Sequence, residues 1–329
     1  MLLPIKSIRK ESNLFGRYLK QLRLEQGFSQ RELCTYLNLV SPDFATLDDG
    51  TLSRWEREVT SPHPIKAIKL LRILTTNLIP YLLSLDSQKK RGLDKLVYER
   101  FYSTQAAIYT ASYAKIEASS STIIEKTITP ENEQSLFESV RHFLLTSQVS
   151  YPGLSSLNLS RLYKEKKLLL NVYIDNLSLE IVGHNLAVFF DYNDLDTCPI
   201  GPSHSLPFDK LKPYTRNATQ AICSLSRFAS SEAAFYAVHS NFVRFIATHA
   251  NIHFYYHYLS NALFFDYLVE IGAEKVGYDT PDPYGAVKIG NRTFRNGLLR
   301  IESAVILSRP EIVRLLKKNQ INASIEANE

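Results

Sequence analysis

Gly-Phe-Ser-Gln-Arg-Glu-Leu at 27–33 and Leu-Ser-Arg-Trp-Glu-Arg at 52–57 are the stretches on which the N-terminal region turns. Ser29 and Glu32 have the spacing of a capping box: the hydroxyl accepts from the amide of residue 32, and the carboxylate reaches back to the amide of Ser29. Gly27 suits the left-handed turn that closes a preceding helix. That helix begins near Asn13, because Leu14, Tyr18, Leu19 and Leu22 recur at three- and four-residue spacing. Beyond the box, Leu33, Cys34 and Leu37 form the buried face of a short second helix. A third helix over 51–57 puts Leu52 and Trp55 on one side, with Ser53, Arg54 and Arg57 on the others. Pro62 and Pro64 punctuate, and Ile65, Ile68, Leu71 and Leu74 mark a fourth amphipathic helix. The spacing predicts an all-α helix-turn-helix N-terminal domain over 1–80.

Charge distribution points the same way. The net charge of +5 is mild, but residues 1–120 hold 18 Lys and Arg against 12 Asp and Glu, and the remainder is slightly acidic. A basic excess confined to this region suits a phosphate-facing surface. In a helix-turn-helix the second helix is set by phosphate contacts and the third enters the major groove. Gln30 and Arg31 stand at the positive N-terminus of helix two, where a phosphate is welcome. Thr51, Ser53, Arg54 and Arg57 stand on helix three, and an arginine can read guanine O6 and N7 with two hydrogen bonds. Double-stranded DNA is the expected partner.

The string FGRYLKQLRLEQGFSQRELCTYL (15–37), then TLSRWERE (51–58), then SP (61–62), resembles the Cro/CI-type (XRE) family of helix-turn-helix transcriptional regulators. The resemblance implies that Gln30 and Arg54 take phosphate and base contacts, flanked by Thr51 and Ser53, and that Leu52 and Trp55 pack the core. Two departures stand out. SPDFATLDDG (41–50) is longer than the family's tight turn and puts two acids, Asp48 and Asp49, at the start of the recognition helix. Glu58 occupies the position where the family usually has glycine.

With 329 residues the chain is too long for one core, and two domains with a connector are expected. Leu93, Leu96, Val97, Phe101, Ile108 and Ala111 share a stripe that predicts one helix over 92–117, ended by the Ser-rich stretch 118–122. It reads either as a connector packed on one domain or as a dimerisation helix, since readers of this type bind paired half-sites. The segments are therefore 1–80, 81–122 and 123–329. Beyond residue 125 come a helix over 131–145, strands over 168–174 and 179–190 around Asp175-Asn176, and a strand over 221–229. A helix over 231–250, a strand over 252–258 and a helix over 261–271 closed by Gly272 come next. That order implies an α/β layer fold.

Ala-Ile-Cys-Ser-Leu-Ser-Arg-Phe-Ala at 221–229 resembles the Glu-x-Ser-Arg-Phe strand of acyl-homoserine-lactone (autoinducer) synthases and N-acyl amino acid synthases, members of the GNAT superfamily. Ile181-Val-Gly183, Cys198-Pro-Ile200, Leu206-Pro-Phe208, Glu274-Lys-Val-Gly277 and Pro283-Tyr-Gly-Ala286 occur in the family's order. The resemblance implies an α/β GNAT-like C-terminal domain, and it puts the family's acidic residue at Ser224, which cannot act as a base unaided. The stretch SSEAAFYAV after the strand lacks a Gly-rich pyrophosphate loop. Ser226, Arg227, Phe228 and Tyr255 remain as candidate ligand-binding residues, and no catalytic residue is assigned. A cleft kept after its chemistry is lost suggests a sensor of a small acyl-type ligand or of a partner protein. The alternative is an active N-acyltransferase that takes an acyl-CoA or acyl carrier protein thioester and has an autoregulatory DNA-binding domain. In a third reading the C-terminal domain only dimerises.

His239, His249, His253 and His257 lie close in sequence beside Tyr255, Tyr256 and Tyr258. No spacing fixes a tetrahedron, so no metal is expected, and aromatic core or cleft lining is the better account. Cys34, Cys198 and Cys223 are odd in number and far apart, which argues against disulfides and zinc and fits a reducing compartment. The N-terminus lacks a signal-peptide core and no apolar stretch spans a bilayer. The chain reads as a cytoplasmic, homodimeric protein with no cofactor.

Overall fold

The structure, a computed structural model, describes residues 14–85, 91–103, 123–126, 134–146, 157–196 and 206–317. The chain divides into two compact units, Met1–Leu85 and Asp86–Glu329. The Ser-rich stretch 118–122, the 104–117 part of the expected long helix, and Cys198-Pro-Ile200 lie outside the described residues.

The described residues of the first unit form five α-helices: α1 (Leu14–Glu25), α2 (Gln30–Val40), α3 (Asp49–Glu56), α4 (Pro64–Leu74) and α5 (Ile79–Ser84). The capping box forms as expected, with Ser29 N donating to Glu32 Oε2 at 2.7 Å and Glu32 N to Ser29 Oγ at 3.2 Å. Gly27 has φ +75°, the left-handed turn that ends α1. Leu19, Leu33, Leu37, Leu52 and Trp55 meet in the core. Gly16 is required where α1 crosses the end of α3, because a Cβ there would come within 2.2 Å of the Trp55 carbonyl oxygen.

The long connection between α2 and α3 is built rather than loose. Pro42–Phe44 forms a 3-10 turn whose Phe44 ring is fully buried, and Leu47 is buried beside it. Asn38 Nδ2 donates to the carbonyls of Phe44 (2.9 Å) and Leu47 (3.0 Å), satisfying both inside the turn. The extra residues thus extend the core, which their polar composition concealed.

The second unit is a mixed α/β layer structure, as its order of elements predicted. Its strands are β1 (Ile123–Lys126), β2 (Leu168–Asp175), β3 (Ile181–Asp191), β4 (Gln220–Ala229), β5 (Ile252–Leu259), β6 (Glu274–Tyr278), β7 (Val287–Ile289), β8 (Arg292–Phe294) and β9 (Gly297–Glu302). Seven form one sheet in the order β1-β2-β3-β4-β5-β9-β6, and β7 and β8 form a separate hairpin. All neighbours in the large sheet are antiparallel except β4 and β5, which are parallel. A parallel pair needs a crossover, supplied by helix α10 (Glu232–Thr248). The other described helices of the unit are α6 (Arg91–Phe101), α7 (Gln134–Thr146), α8 (Leu159–Lys164), α9 (Tyr192–Asp196), α11 (Ala262–Glu270) and α12 (Ser303–Leu307), then one over 310–317.

One sheet face packs on α7 and α8: Phe137, Val140 and Leu144 meet Val172, Leu186, Val188 and Cys223 there. The opposite face packs on α10. Two features of β4 set the geometry of the sheet's centre. Its register with β3 slips at Leu225, because Leu186 pairs with Ser226 while Ala187 pairs with Ser224. Leu225 is the extra residue of a β-bulge, which turns the remainder of the strand over. In addition, β4 and β5 pair only from Gln220↔Ile252 to Ser224↔His257. Beyond that point β4 continues on β3 to Ala229 and β5 continues on β9 to Leu259, so the two strands part.

The expected single helix over 92–117 is corrected by the structure, since α6 stops at Phe101. Ser103 Oγ donates to the Glu99 carbonyl at 2.5 Å, the local competition that weakens serine in helices. Leu93, Leu96 and Val97 are buried, and α6 packs on α11 within its own unit.

Candidate functional site

In the first unit, α3 presents the residues expected to read a base. Arg54 and Arg57 are exposed, Thr51 and Ser53 half-buried, and Leu52 and Trp55 buried behind them. Asp48 is the N-cap of α3: its Oδ1 accepts from Thr51 N at 2.6 Å and its Oδ2 from Thr51 Oγ1 at 2.9 Å. Those hydrogen bonds hold the Asp48 carboxyl below its ordinary value. Arg54 Nη2 donates to Thr51 Oγ1 at 2.9 Å, so Asp48, Thr51 and Arg54 form a chain along the start of the helix. Asp48, one of the two acids at this end, is therefore committed to the cap.

Arg31 is exposed on the first turn of α2, and Gln30 beside it is half-buried. Gln30 Nε2 donates to Glu56 Oε2 at 2.8 Å. Glu56 in turn takes Arg23 Nε at 2.6 Å and Nη2 at 2.8 Å, a buried bidentate ion pair. Burial opposes ionisation of Glu56, but Arg23 and Gln30 outweigh it and hold the carboxyl low. Arg23 also donates to the Phe28 carbonyl at 2.7 Å, tying α1, the α2 entry and α3 together. Sequence reading passed over both ends of this pair. The signal was present, since a Glu beside the core Trp55 needs a cation to be buried.

In the second unit strand alternation separates Arg227 from Ser226 and Phe228, and the bulge decides which face each takes. Ser226 and Phe228 face α7: Ser226 Oγ lies 2.7 Å from His184 Nε2, and Phe228 packs on Phe143 at 5.1 Å. Arg227 and Tyr255 face α10. Arg227 Nε donates to Asn185 Oδ1 at 3.0 Å, and its guanidinium lies 3.9 Å from the Phe242 ring centre and 5.2 Å from that of Tyr255. Its Nη2 is buried with no hydrogen-bond partner. Among the described residues no carboxylate pairs with it, and burial pushes the guanidinium below the ordinary arginine value. Ser224, at the position of the synthases' acidic residue, is buried against Tyr255.

Arg227 lines a cavity of about 80 Å³ where β4 and β5 part. Ala229, Leu259, Phe235 and Phe264 give it apolar walls, and His239 and His257 add imidazoles. Arg100, from the last turn of α6, completes the rim and donates to the Ala229 carbonyl at 3.1 Å. Burial and the Arg227 charge keep both histidines neutral, His239 with a pKa of about 3. Tyr255 Oη lies 2.6 Å from His257 Nδ1, and burial raises that phenol to about 12. The four clustered histidines do not converge. His239 and His257 share this cavity, His249 lines a separate cleft of about 280 Å³ beside Glu125, and His253 is exposed. Among the described residues no set of His, Cys, Asp and Glu side chains could hold a metal, and no helix is long and apolar enough to cross a membrane. Cys34 and Cys223 are buried free thiols, and Cys198 lies outside the described residues.

Residues 19–79 match the family model described as helix-turn-helix. No curated protein sequence matches the chain. Acyltransferases are among the solved structures similar to it. NAA60 of Arabidopsis thaliana, in complex with a bisubstrate analogue, is 12% identical, with 55% of this chain and 99% of that chain covered and a TM-score of 0.34. A probable acetyltransferase of Staphylococcus epidermidis is 13% identical over 55% of this chain and 99% of its own, at a TM-score of 0.33. FeeM, an N-acyl amino acid synthase from uncultured soil microbes, is 8% identical over 56% and 92%, at a TM-score of 0.35.

Proposed function

We propose that this protein is a one-component transcriptional regulator. Its helical unit reads DNA as a homodimer in the manner of the XRE family, and its α/β unit senses a small molecule. The observation that carries the reading is the disposition of α3. It presents Thr51, Ser53 and exposed Arg54 in front of a core fixed by Leu52 and Trp55, while α2 offers Arg31 at a capped N-terminus. The family-model match over 19–79 supports the same reading.

Selection of binding sites from random duplexes tests it. The native protein is expected to enrich a paired-half-site sequence, and Arg54→Ala to relax preference at one base position per half-site, costing about 1–3 kcal/mol there. An unchanged sequence logo for the variant would remove Arg54 from the reading role. For the α/β unit the competing reading is N-acyl transfer from an acyl-CoA or acyl carrier protein thioester. Sustained thiol release during incubation with acyl thioesters and amines would overturn the sensor.

A further inference from the structure

The cavity between the parted ends of β4 and β5 has a chemical specification of its own. Among its lining residues is Arg227, a cation with a buried, unpartnered Nη2 and no carboxylate against it among the described residues. An uncompensated buried guanidinium is costly unless an anion meets it, and its planar fork matches a carboxylate. None of the nine lining residues is acidic.

His239 adds a second condition. Its Nδ1 lies 2.8 Å from the Phe235 carbonyl oxygen, which can only accept, so Nδ1 carries the proton. The ring is kept neutral by burial, so Nε2 is a bare lone pair, and it too is buried without a partner. The site therefore lacks one anionic acceptor and one donor at once. The cavity, about 80 Å³, is small and suits an occupant of few heavy atoms. Phe235, Phe264 and Leu259 leave room for a short apolar end.

We propose that this cavity binds a short hydroxycarboxylate, with its carboxylate on Arg227 and its hydroxyl donating to His239 Nε2. This deepens the sensor reading and rests on it for its biological role. Arg100 closes the rim from α6, so an occupied site would bear directly on that helix.

Calorimetric titration of the full chain with lactate, glycolate, propionate and lactamide at constant ionic strength tests the assignment. Lactate and glycolate are expected to bind saturably. Lactamide, which lacks the charge, is expected to bind about tenfold or more weakly, and Arg227→Gln to weaken lactate by a similar factor. His239→Phe is expected to erase the preference for lactate over propionate, which a merely structural role would not do. Circular dichroism checks each fold; should Arg227→Gln not fold, lactamide and His239→Phe decide. No saturable binding of either hydroxycarboxylate, or lactamide binding as tightly as lactate, would overturn the site. Lactate binding without a change in operator affinity would keep the site and sink the sensor. A neutral metabolite that shifts operator affinity while lactate fails to bind would do the reverse.

Discussion

Arg23 and Glu56 face each other through two hydrogen bonds, Nε to Oε1 at 2.6 Å and Nη2 to Oε2 at 2.8 Å, inside the helical unit. Both are buried, and Gln30 completes the acceptor shell of the carboxylate. Removing one partner strands the other, so Glu56→Ala is expected to cost about 3–5 kcal/mol. Denaturant titration of the variant against the native protein measures it. Because the folded carboxyl is held low, this stability is fully present above the unfolded-chain value of about 4.3 and is lost as the pH falls through the lower folded value.

Glu58 has φ +60°, in the left-handed region where a side chain is disfavoured by about 1–2 kcal/mol. Its Oε1 lies 2.9 Å from Nε of Arg17, which is exposed while Glu58 is half-buried, and a pair with one solvated partner offsets little. Glu58→Gly is expected to raise stability by about 0.5–1 kcal/mol, and Glu58→Ala to lower it, because alanine keeps the strain and loses the pair. Melting temperatures of the two variants should move in opposite directions.

Arg31 is exposed on the first turn of α2. In the proposed regulator Arg31→Ala should weaken binding about equally on every sequence and reduce the salt slope by about one. Binding isotherms over a range of salt concentrations check both, and an unchanged slope would take Arg31 off the phosphate.

His184, His239 and His257 are all kept neutral by burial, the first two with pKa values of about 3. Unfolding exposes them to protonation near pH 6.5, so the unfolded chain binds more protons between about pH 3 and 6.5. Stability of the α/β unit should therefore fall as the pH drops below about 6.5, by up to about 1.4 kcal/mol per pH unit for each histidine. Replacing His184 by Phe should make the loss shallower, as read by chemical denaturation at pH 7 and pH 5.

The helical unit was largely legible because its signals are local. The Ser29–Glu32 box, the Gly27 turn and the Leu52–Trp55 face each lie within one helical turn. The Arg23–Glu56 pair spans 33 residues and left only the oddity of an acid beside Trp55. Order and type of the main α/β elements also came from periodicity, and Ser231 and Asn261, where two of the expected helices begin, are the N-caps of α10 and α11 in the structure. The cavity did not. Arg100 reaches it from 127 positions away from Arg227, and strand alternation gives no warning of the slip at Leu225. Grouping Ser226, Arg227 and Phe228 was natural in one dimension, yet alternation separates them and the bulge turns Arg227, not its neighbours, toward the cavity.

That single unpaired residue puts Leu225 and Ser226 on one face of β4 and gives the strand its hinge. Deleting residue 225 would leave Ser224 on Ala187 and Ser226 on Leu186 as adjacent regular pairs, so Arg227 would keep the face turned to α10. What the strand would lose is the bend and extra twist of the bulge, at the point where its pairing with β5 ends. Position 225 thus acts on the width of the cavity and leaves the identity of its cation alone.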